Sequence, residues 1–245
     1  MRQFLLFQLY GPMAAWGDMA VGEQRPTANH PSKSAILGLL AAAKGIRRDE
    51  ESVHREMSAG YGFAVRVDAP GEILRDYHTA QVPPAKGKAQ FFTRRDELRN
   101  RELNTILSTR DYRMDGRYTV AVWQQENEAP FSLEVLANAL RSPRLLPYLG
   151  RKACPLSVPM CPQQLEADDL KSAFAVVTFP DDGLLSNLKL SSQIDYYWEA
   201  LDAASAGMSA SMVYPRRDQP LSRKRWQFVE RDEYYYSEAT PEVQG

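Results

Sequence analysis

At 245 residues, 44% apolar and 25% charged, the chain can bury a substantial core and has an ordinary globular composition. Two cysteines, Cys154 and Cys161, and three well-separated histidines exclude a disulfide framework and a zinc-ligand spacing, and the longest apolar run, Ala35 to Ala43, is too short to span a bilayer. A net charge of −1 argues against a uniformly basic nucleic-acid binder, yet it conceals 22 Lys+Arg against 17 Asp+Glu in residues 1–160 and 8 against 14 in residues 161–245.

Phe4 to Tyr10 is a continuous apolar run of strand length and reads as a central strand. Gln8 and Tyr10 interrupt it and no small-residue cleavage site follows, so no signal peptide or membrane association is expected and the cytoplasm is the default compartment. Beyond Gly11 to Gly17 a polar loop carries Arg25-Pro26-Thr27 and ends at Pro31-Ser32-Lys33-Ser34. The spacing predicts a helix over 33–44, apolar on nearly every face, with Ser32 or Ser34 as N-cap and Gly45 as its stop. Lys33, the serines and Arg25 then surround the positive end of a buried helix, where an anion such as a phosphate is readily held. A capped core helix under a Pro/Gly-rich loop is the plainer reading. Arg47 to Glu51 reads as a solvated turn, Gly60 to Val67 as a second strand closed by Asp68-Ala69-Pro70-Gly71, and Ile73 to Thr79 as a third extended piece.

Between Thr79 and Tyr118 the chain turns polar and basic, with Lys86, Lys88, Arg94, Arg95, Arg99, Arg101, Arg110, Arg113 and Arg117. Within it Glu97 to Leu103 has helical character, and the rest reads as a solvated or functional excursion. Tyr118 to Trp123 is a strand by β-branched and aromatic content, and Leu133 to Leu140 recurs at helical spacing. Strand, helix, strand, strand, helix is the order of a ferredoxin-like or RRM-type domain. Arg141, Arg144, Arg151 and Lys152 then fall in a stretch without an acid, interleaved with Tyr148 and Gly150: phosphate contacts, a stacking face and room for close backbone approach, or else a loop tying two domains together. Ala173 to Phe179 is a strand candidate, Asp195 to Ala206 looks helical, and Arg223 to Val229 reads as a basic strand.

No P-loop, Rossmann glycine pattern, nucleophile elbow or metal constellation is present, so no cofactor or metal is expected. Metal-independent RNA cleavage needs a base for the 2′-hydroxyl and a cation at the phosphate, and Arg75 with Tyr77-His78 supplies those residue types. Within a strand, however, Tyr77 and His78 point to opposite faces.

Gly11-Pro12-Met13-Ala14-Ala15-Trp16-Gly17, Arg25-Pro26-Thr27 and Pro31-Ser32-Lys33-Ser34 are followed in order by Leu74-Arg75-Asp76-Tyr77-His78-Thr79, Tyr118 to Trp123, and Pro147-Tyr148-Leu149-Gly150-Arg151-Lys152 with Cys154-Pro155-Leu156. A looser match, Arg217-Asp218-Gln219-Pro220 and Phe228 to Tyr236, carries the series almost to the C-terminus. This collinear series resembles the CasD family, CRISPR-associated subunits of type I-E Cascade that hold the 5′ end of the guide RNA. The resemblance implies an α+β protein: a modified ferredoxin-like (RRM-type) domain over 1–160, a basic thumb-like insertion at about 80–117, and a smaller β-rich C-terminal domain over 161–245. It implies a non-catalytic subunit that caps the crRNA 5′ handle, touches the backbone subunit and the large PAM-reading subunit, and meets target DNA only through the complex. Some relatives in type I-C systems cut the guide precursor, which keeps a metal-independent endoribonuclease as the alternative. On residue type and motif, Trp16, Arg25, Thr27, Lys33 and Ser34 are candidates near the first helix. Arg75, Tyr77, His78, Arg94 and Arg95 are candidates on the sheet and insertion, and Arg144, Tyr148, Gly150, Arg151 and Lys152 on the basic loop.

Overall fold

The N-terminal apolar run is β1 (Arg2–Tyr10), and its side chains divide between two cores, with Leu5, Phe7 and Leu9 on one face and Phe4 and Leu6 on the other. Successive strand residues face opposite ways, so an unbroken apolar run belongs to a strand covered on both sides. The computed structural model describes residues 1–84, 90–99, 102–125, 129–180, 183, 188, 191–199 and 201–240. Of the basic residues expected in the excursion, Lys86, Lys88 and Arg101 lie outside the described residues.

Two short strands, β2 (Met13–Ala14) and β3 (Gln24–Arg25), lie in the loop before α1 (Lys33–Lys44). Next come α2 (Glu51–Gly60), β4 (Tyr61–Ala69), β5 (Glu72–Val82), α3 (Arg94–Leu98), β6 (Asn104–Met114), β7 (Arg117–Gln124) and α4 (Leu133–Arg141). The remainder forms β8 (Gln163–Ala167), α5 (Leu170–Val176), β9 (Gln193–Trp198), α6 (Ala203–Ala206), β10 (Met212–Ser222) and β11 (Gln227–Ala239). The fold is therefore mixed helix and sheet. Its main sheet has seven strands in the order β10-β11-β9-β4-β7-β1-β8, every neighbouring pair antiparallel. Strands from both sides of residue 160 share it. The helices α1 and α4 cover one face, and α5 and α6 contribute to the core on the other. Among the described residues no helix is long and apolar enough to cross a membrane.

Helix α1 matches the expected bounds. Ser32 Oγ accepts from Ala35 N at 3.2 Å, and Gly45, at φ 82, closes the helix in the left-handed region. Ile36, Leu37, Leu39 and Leu40 are all buried, each contributing roughly 1.5–3 kcal/mol of transfer free energy. Helix α4 is capped in the same way by Ser132 and buries Leu133, Leu136, Ala137 and Leu140.

The basic excursion is more ordered than its composition suggests. β5 and β6 pair antiparallel along their whole length, from Glu72↔Met114 to Val82↔Asn104, and β6 also meets β2 and β3. Most of the ribbon is solvated on both faces, which removes the apolar alternation that marks a strand and hid β6 from the sequence. α3 spans Arg94–Leu98, earlier than the expected Glu97 to Leu103. Three other elements differ from expectation. Residues 170–176 are a helix rather than a strand, because Leu170, Ala173 and Phe174 share one buried face and Asp169 caps the first turn. Residues 193–198 are a strand rather than a helix, with Tyr196, Tyr197 and Trp198 buried, and the helix is confined to Ala203–Ala206. Of the basic strand expected over Arg223 to Val229, residues 223–226 are the turn between β10 and β11, and Gln227 to Val229 are the start of β11.

Candidate nucleic-acid interface

The basic loop after α4 is tied to the segment that leaves β1. Ala15 N donates to the Leu149 carbonyl at 3.0 Å, Leu149 N to Cys154 O at 2.8 Å, and Ser157 N to Tyr10 O at 3.0 Å. Gly150 sits at φ 82, and a Cβ on it would fall 1.8 Å from the Ala15 carbonyl oxygen. Only glycine fits that left-handed, backbone-crowded position. The requirement for Gly150 is thus met by the chain's own backbone, and it presents Arg151 and Lys152 beside the loop's rim. Arg151 also lies over the Tyr112 ring, 4.8 Å from its centroid, at the base of the ribbon.

A cleft of about 830 Å³ opens between this loop, the outer face of α1 and the β10–β11 turn. Trp16, Ser34, Tyr148, Gly150, Arg151 and Lys152, all expected site residues, converge on it. Arg47, Arg48, His54, Arg223 and Trp226 complete its wall, and none of them stands out in the sequence as a ligand-binding residue. Its described lining contains five Lys or Arg side chains and no Asp or Glu. The signal that would have found the far wall is the run Arg223-Lys224-Arg225-Trp226, three cations beside an aromatic in the otherwise acidic residues 161–245.

That turn is fastened in place. Ser222 Oγ donates to Glu51 Oε1 at 2.6 Å and Lys224 N donates to the same oxygen at 3.0 Å, while Trp226 holds φ 57. Arg48 stacks over the Trp226 ring at 4.5 Å and donates through Nε to the Arg223 carbonyl at 2.7 Å. Arg223 Nη2 donates to the Ser34 carbonyl, and its guanidinium lies against Gly38, where a Cβ would come within 3.1 Å of Nη1. Burial, together with the neighbouring Arg48 charge, pushes Arg223 down to about 10, and burial likewise lowers His54.

The other expected site residues stand elsewhere. Lys33 is buried at 3% exposure, with its ammonium 2.7 Å from Glu199 and its backbone N–H donating to Asp218 at 2.7 Å. The anion at the positive end of α1 is therefore the chain's own Asp218. Asp218 belongs to a buried lattice of charges in which Arg231 bridges it to Glu233, and Arg216 binds Glu233 at 2.9 Å. Arg25 is exposed and donates to the carbonyls of Gly22 and Gln24. Thr27 accepts from Trp16 N at 3.0 Å and so fixes the loop before α1. Arg144 packs against Gly45 beyond the far end of α1, away from the cleft lining. Arg75 is engaged by Asp111 at 2.9 and 3.1 Å, which raises the guanidinium's pKa and holds the carboxyl's below the usual range. Tyr77 and His78 are both exposed, on opposite faces of β5. Arg94 bonds Glu97 and the Gln81 carbonyl, and Arg95 is exposed beside it.

The CRISPR-associated protein (Cas_Cas5) family model matches residues 4–233. Over 174 residues, the sequence is 36% identical to the CRISPR system Cascade subunit CasD of Escherichia coli (strain K12), covering 71% of this chain and 76% of that protein. A chain of a solved CRISPR RNA-guided surveillance complex superposes with a TM-score of 0.65 at 26% identity, covering 97% of this chain and 90% of its own length. A crystal structure of a Cas protein shares the fold at 24% identity and a TM-score of 0.55, with 96% and 94% covered.

Proposed function

The chain belongs to the CRISPR-associated Cas5 family, and from that membership we propose that it is a non-catalytic RNA-binding subunit of a type I-E Cascade complex. Its ligand is the 5′ handle of the crRNA, and its neighbours are the backbone subunit and the large PAM-reading subunit. One observation carries this reading: an 830 Å³ cleft walled by Arg47, Arg48, Arg151, Lys152 and Arg223, with the exposed rings of Tyr148 and Trp226 in the same lining, Trp16 buried behind them and no described carboxylate. Cations without counter-charges favour a polyanion, and aromatic faces among them suit unpaired bases. In this reading the ferredoxin-like unit expected over 1–160 is β4, β7 and β1 with α1 and α4, extended past that bound by β8, supported by the antiparallel order β4-β7-β1-β8. The thumb expected at about 80–117 is read as the β5–β6 ribbon, which begins earlier, at Glu72, supported by its place in a separate sheet and its exposed Arg75, Tyr77, His78, Arg94 and Arg95.

Replacing Arg151 and Lys152 together by alanine tests the cleft. Guide RNA binding is expected to weaken, and the slope of log affinity against log salt to become shallower by about 0.7 for each phosphate that is no longer neutralised. Unchanged affinity and slope in filter binding would remove this loop from the site.

A further inference from the structure

One cation in the cleft wall, Arg223, lacks the carboxylate partner that a charge withdrawn from solvent normally has, and the cation beside it, Arg48, is exposed. Arg223 is largely withdrawn from solvent, and among the described residues no carboxylate pairs with it. Its guanidinium donates to the Ser34 carbonyl, and its Nε is buried without a partner among the described residues. The like charge of the neighbouring Arg48 adds to the cost. A guanidinium half-buried in this way and left unneutralised is destabilising unless an anion completes it. The surroundings are nevertheless built around it: Gly38 leaves space for the guanidinium, Glu51 anchors the turn from outside, and Trp226 keeps a left-handed backbone under the Arg48 stack. A group held this firmly in an unfavourable state is organised in advance for a ligand.

We infer that Arg223 and Arg48 form a seat for one phosphodiester of single-stranded RNA, with Trp226 fixing Arg48 beside it. The inference rests on the reading of the cleft as an RNA site and adds to it a second point of grip, across from Arg151 and Lys152. The acidic C-terminal segment, residues 161–245, thus supplies a cationic wall to a site otherwise made by the basic residues 1–160.

The test uses the full chain and Arg223→Met, which keeps an unbranched side chain and removes the charge. Because the guanidinium has no acid to lose, the melting temperature of the free protein is expected to hold or rise. Affinity for a short single-stranded RNA is expected to fall about tenfold, with a salt slope shallower by about 0.7, and Arg48→Ala to weaken binding in the same sense. A lower melting temperature with unchanged RNA affinity would make Arg223 a structural residue and overturn the seat. Inorganic phosphate, compared with chloride at equal ionic strength, separates the sources. Stabilisation of wild type by RNA, lost in Arg223→Met, supports the phosphodiester, whereas stabilisation by phosphate with wild-type RNA affinity in the variant identifies a free-anion site and overturns it. If wild type binds no RNA, the cleft reading itself fails. The phosphate arm then judges the seat alone: a shift confined to wild type supports an oxyanion seat, and no shift overturns it.

Discussion

Lys33 Nζ and Glu199 Oε1 lie 2.7 Å apart, with the two side chains only 3% and 6% exposed. The pair joins the first residue of α1 to the end of β9, and the backbone N–H of Lys33 is also bound by Asp218 from β10. Burial pushes the Glu199 carboxyl up, against the pull of Lys33 and Arg231. Removing Lys33 leaves Glu199 in the interior with only Arg231, 3.6 Å away and shared with Asp218 and Glu233. Lys33→Met is therefore expected to cost about 3–5 kcal/mol in denaturant unfolding, and adding Glu199→Leu to recover most of it. RNA affinity of the double variant should match wild type. A selective loss of affinity would return Lys33 to the interface.

His30 gives the same region a pH dependence. Its ring stacks on Tyr197 with centroids 3.6 Å apart and lies between Asn29, Arg216 and Glu233. Burial and the Arg216 charge lower its pKa from 6.5 to about 4, even with Glu233 and Asp218 opposing. The unfolded chain then binds a proton that the folded chain refuses, so stability is full above about 6.5 and lost as pH falls towards 4, by at most about 1.4 kcal/mol per pH unit. Glu233, held well below the usual carboxylate range chiefly by His30, Arg216 and Arg231 against its burial, adds a loss below its ordinary value of 4.5. His30→Gln should flatten the melting curve between pH 6.5 and 4.5 while keeping the drop below that. A slope unchanged by the substitution would assign the acid sensitivity elsewhere.

Two glycines are expected to respond oppositely to alanine. Gly150→Ala meets both a positive φ and a carbonyl 1.8 Å from the new carbon, so it should destabilise by at least about 2 kcal/mol and weaken RNA binding by moving Arg151 and Lys152. Gly38→Ala lies in the interior of α1 and meets only the Arg223 guanidinium, 3.1 Å from the new carbon, so a shift of a few tenths of an ångström admits the methyl, the helix gains up to about 1 kcal/mol, and the guanidinium is displaced from its place. Unfolding curves and filter binding on both proteins decide it. Equal stability losses would show that α1 has no such slack.

The nuclease alternative has a simple check at His78. The ring is exposed, Tyr77 lies on the other face of β5, and Arg75 is already committed to Asp111. Repeat RNA is expected to survive incubation with the protein in chelator, and His78→Ala to leave guide length unchanged. Mature-length product made by wild type and not by the variant would establish cleavage.

How much was legible depended on whether each element carried its own signal. α1 declared itself through Ser32, Gly45 and an apolar run between them, and β1, β4, β7 and α4 through burial patterns contained in a few residues. Short apolar runs were ambiguous: Ala173-Phe174-Ala175-Val176-Val177 satisfies strand composition, and only the spacing of Leu170, Ala173 and Phe174 behind Asp169 makes it helical. The alanines after Leu201 drew β9 into an expected helix despite its Tyr-Tyr-Trp, a combination suited to a strand. α2 buries only His54, Met57, Ser58 and Gly60, too sparse a stripe to stand out. Half of the cleft was visible because Tyr148 to Lys152 is contiguous. Arg48, Arg223 and Trp226 were not, since tertiary pairing alone brings them together. Lys33 misled for the same reason: nothing near it in sequence announces Glu199.

The placement of the far wall also orders events during synthesis. Arg223 and Trp226 leave the ribosome after every other residue that lines the cleft, and they reach it only when β10 and β11 pair and β11 docks on β9. A growing chain thus exposes the Arg151–Lys152 side long before the opposing side exists. Whatever that half-built surface meets, it can hold from one direction only. In the proposed reading both walls meet the ligand only once the β10–β11 hairpin has been made and has docked on β9, so the cleft's two sides become usable in sequence rather than together.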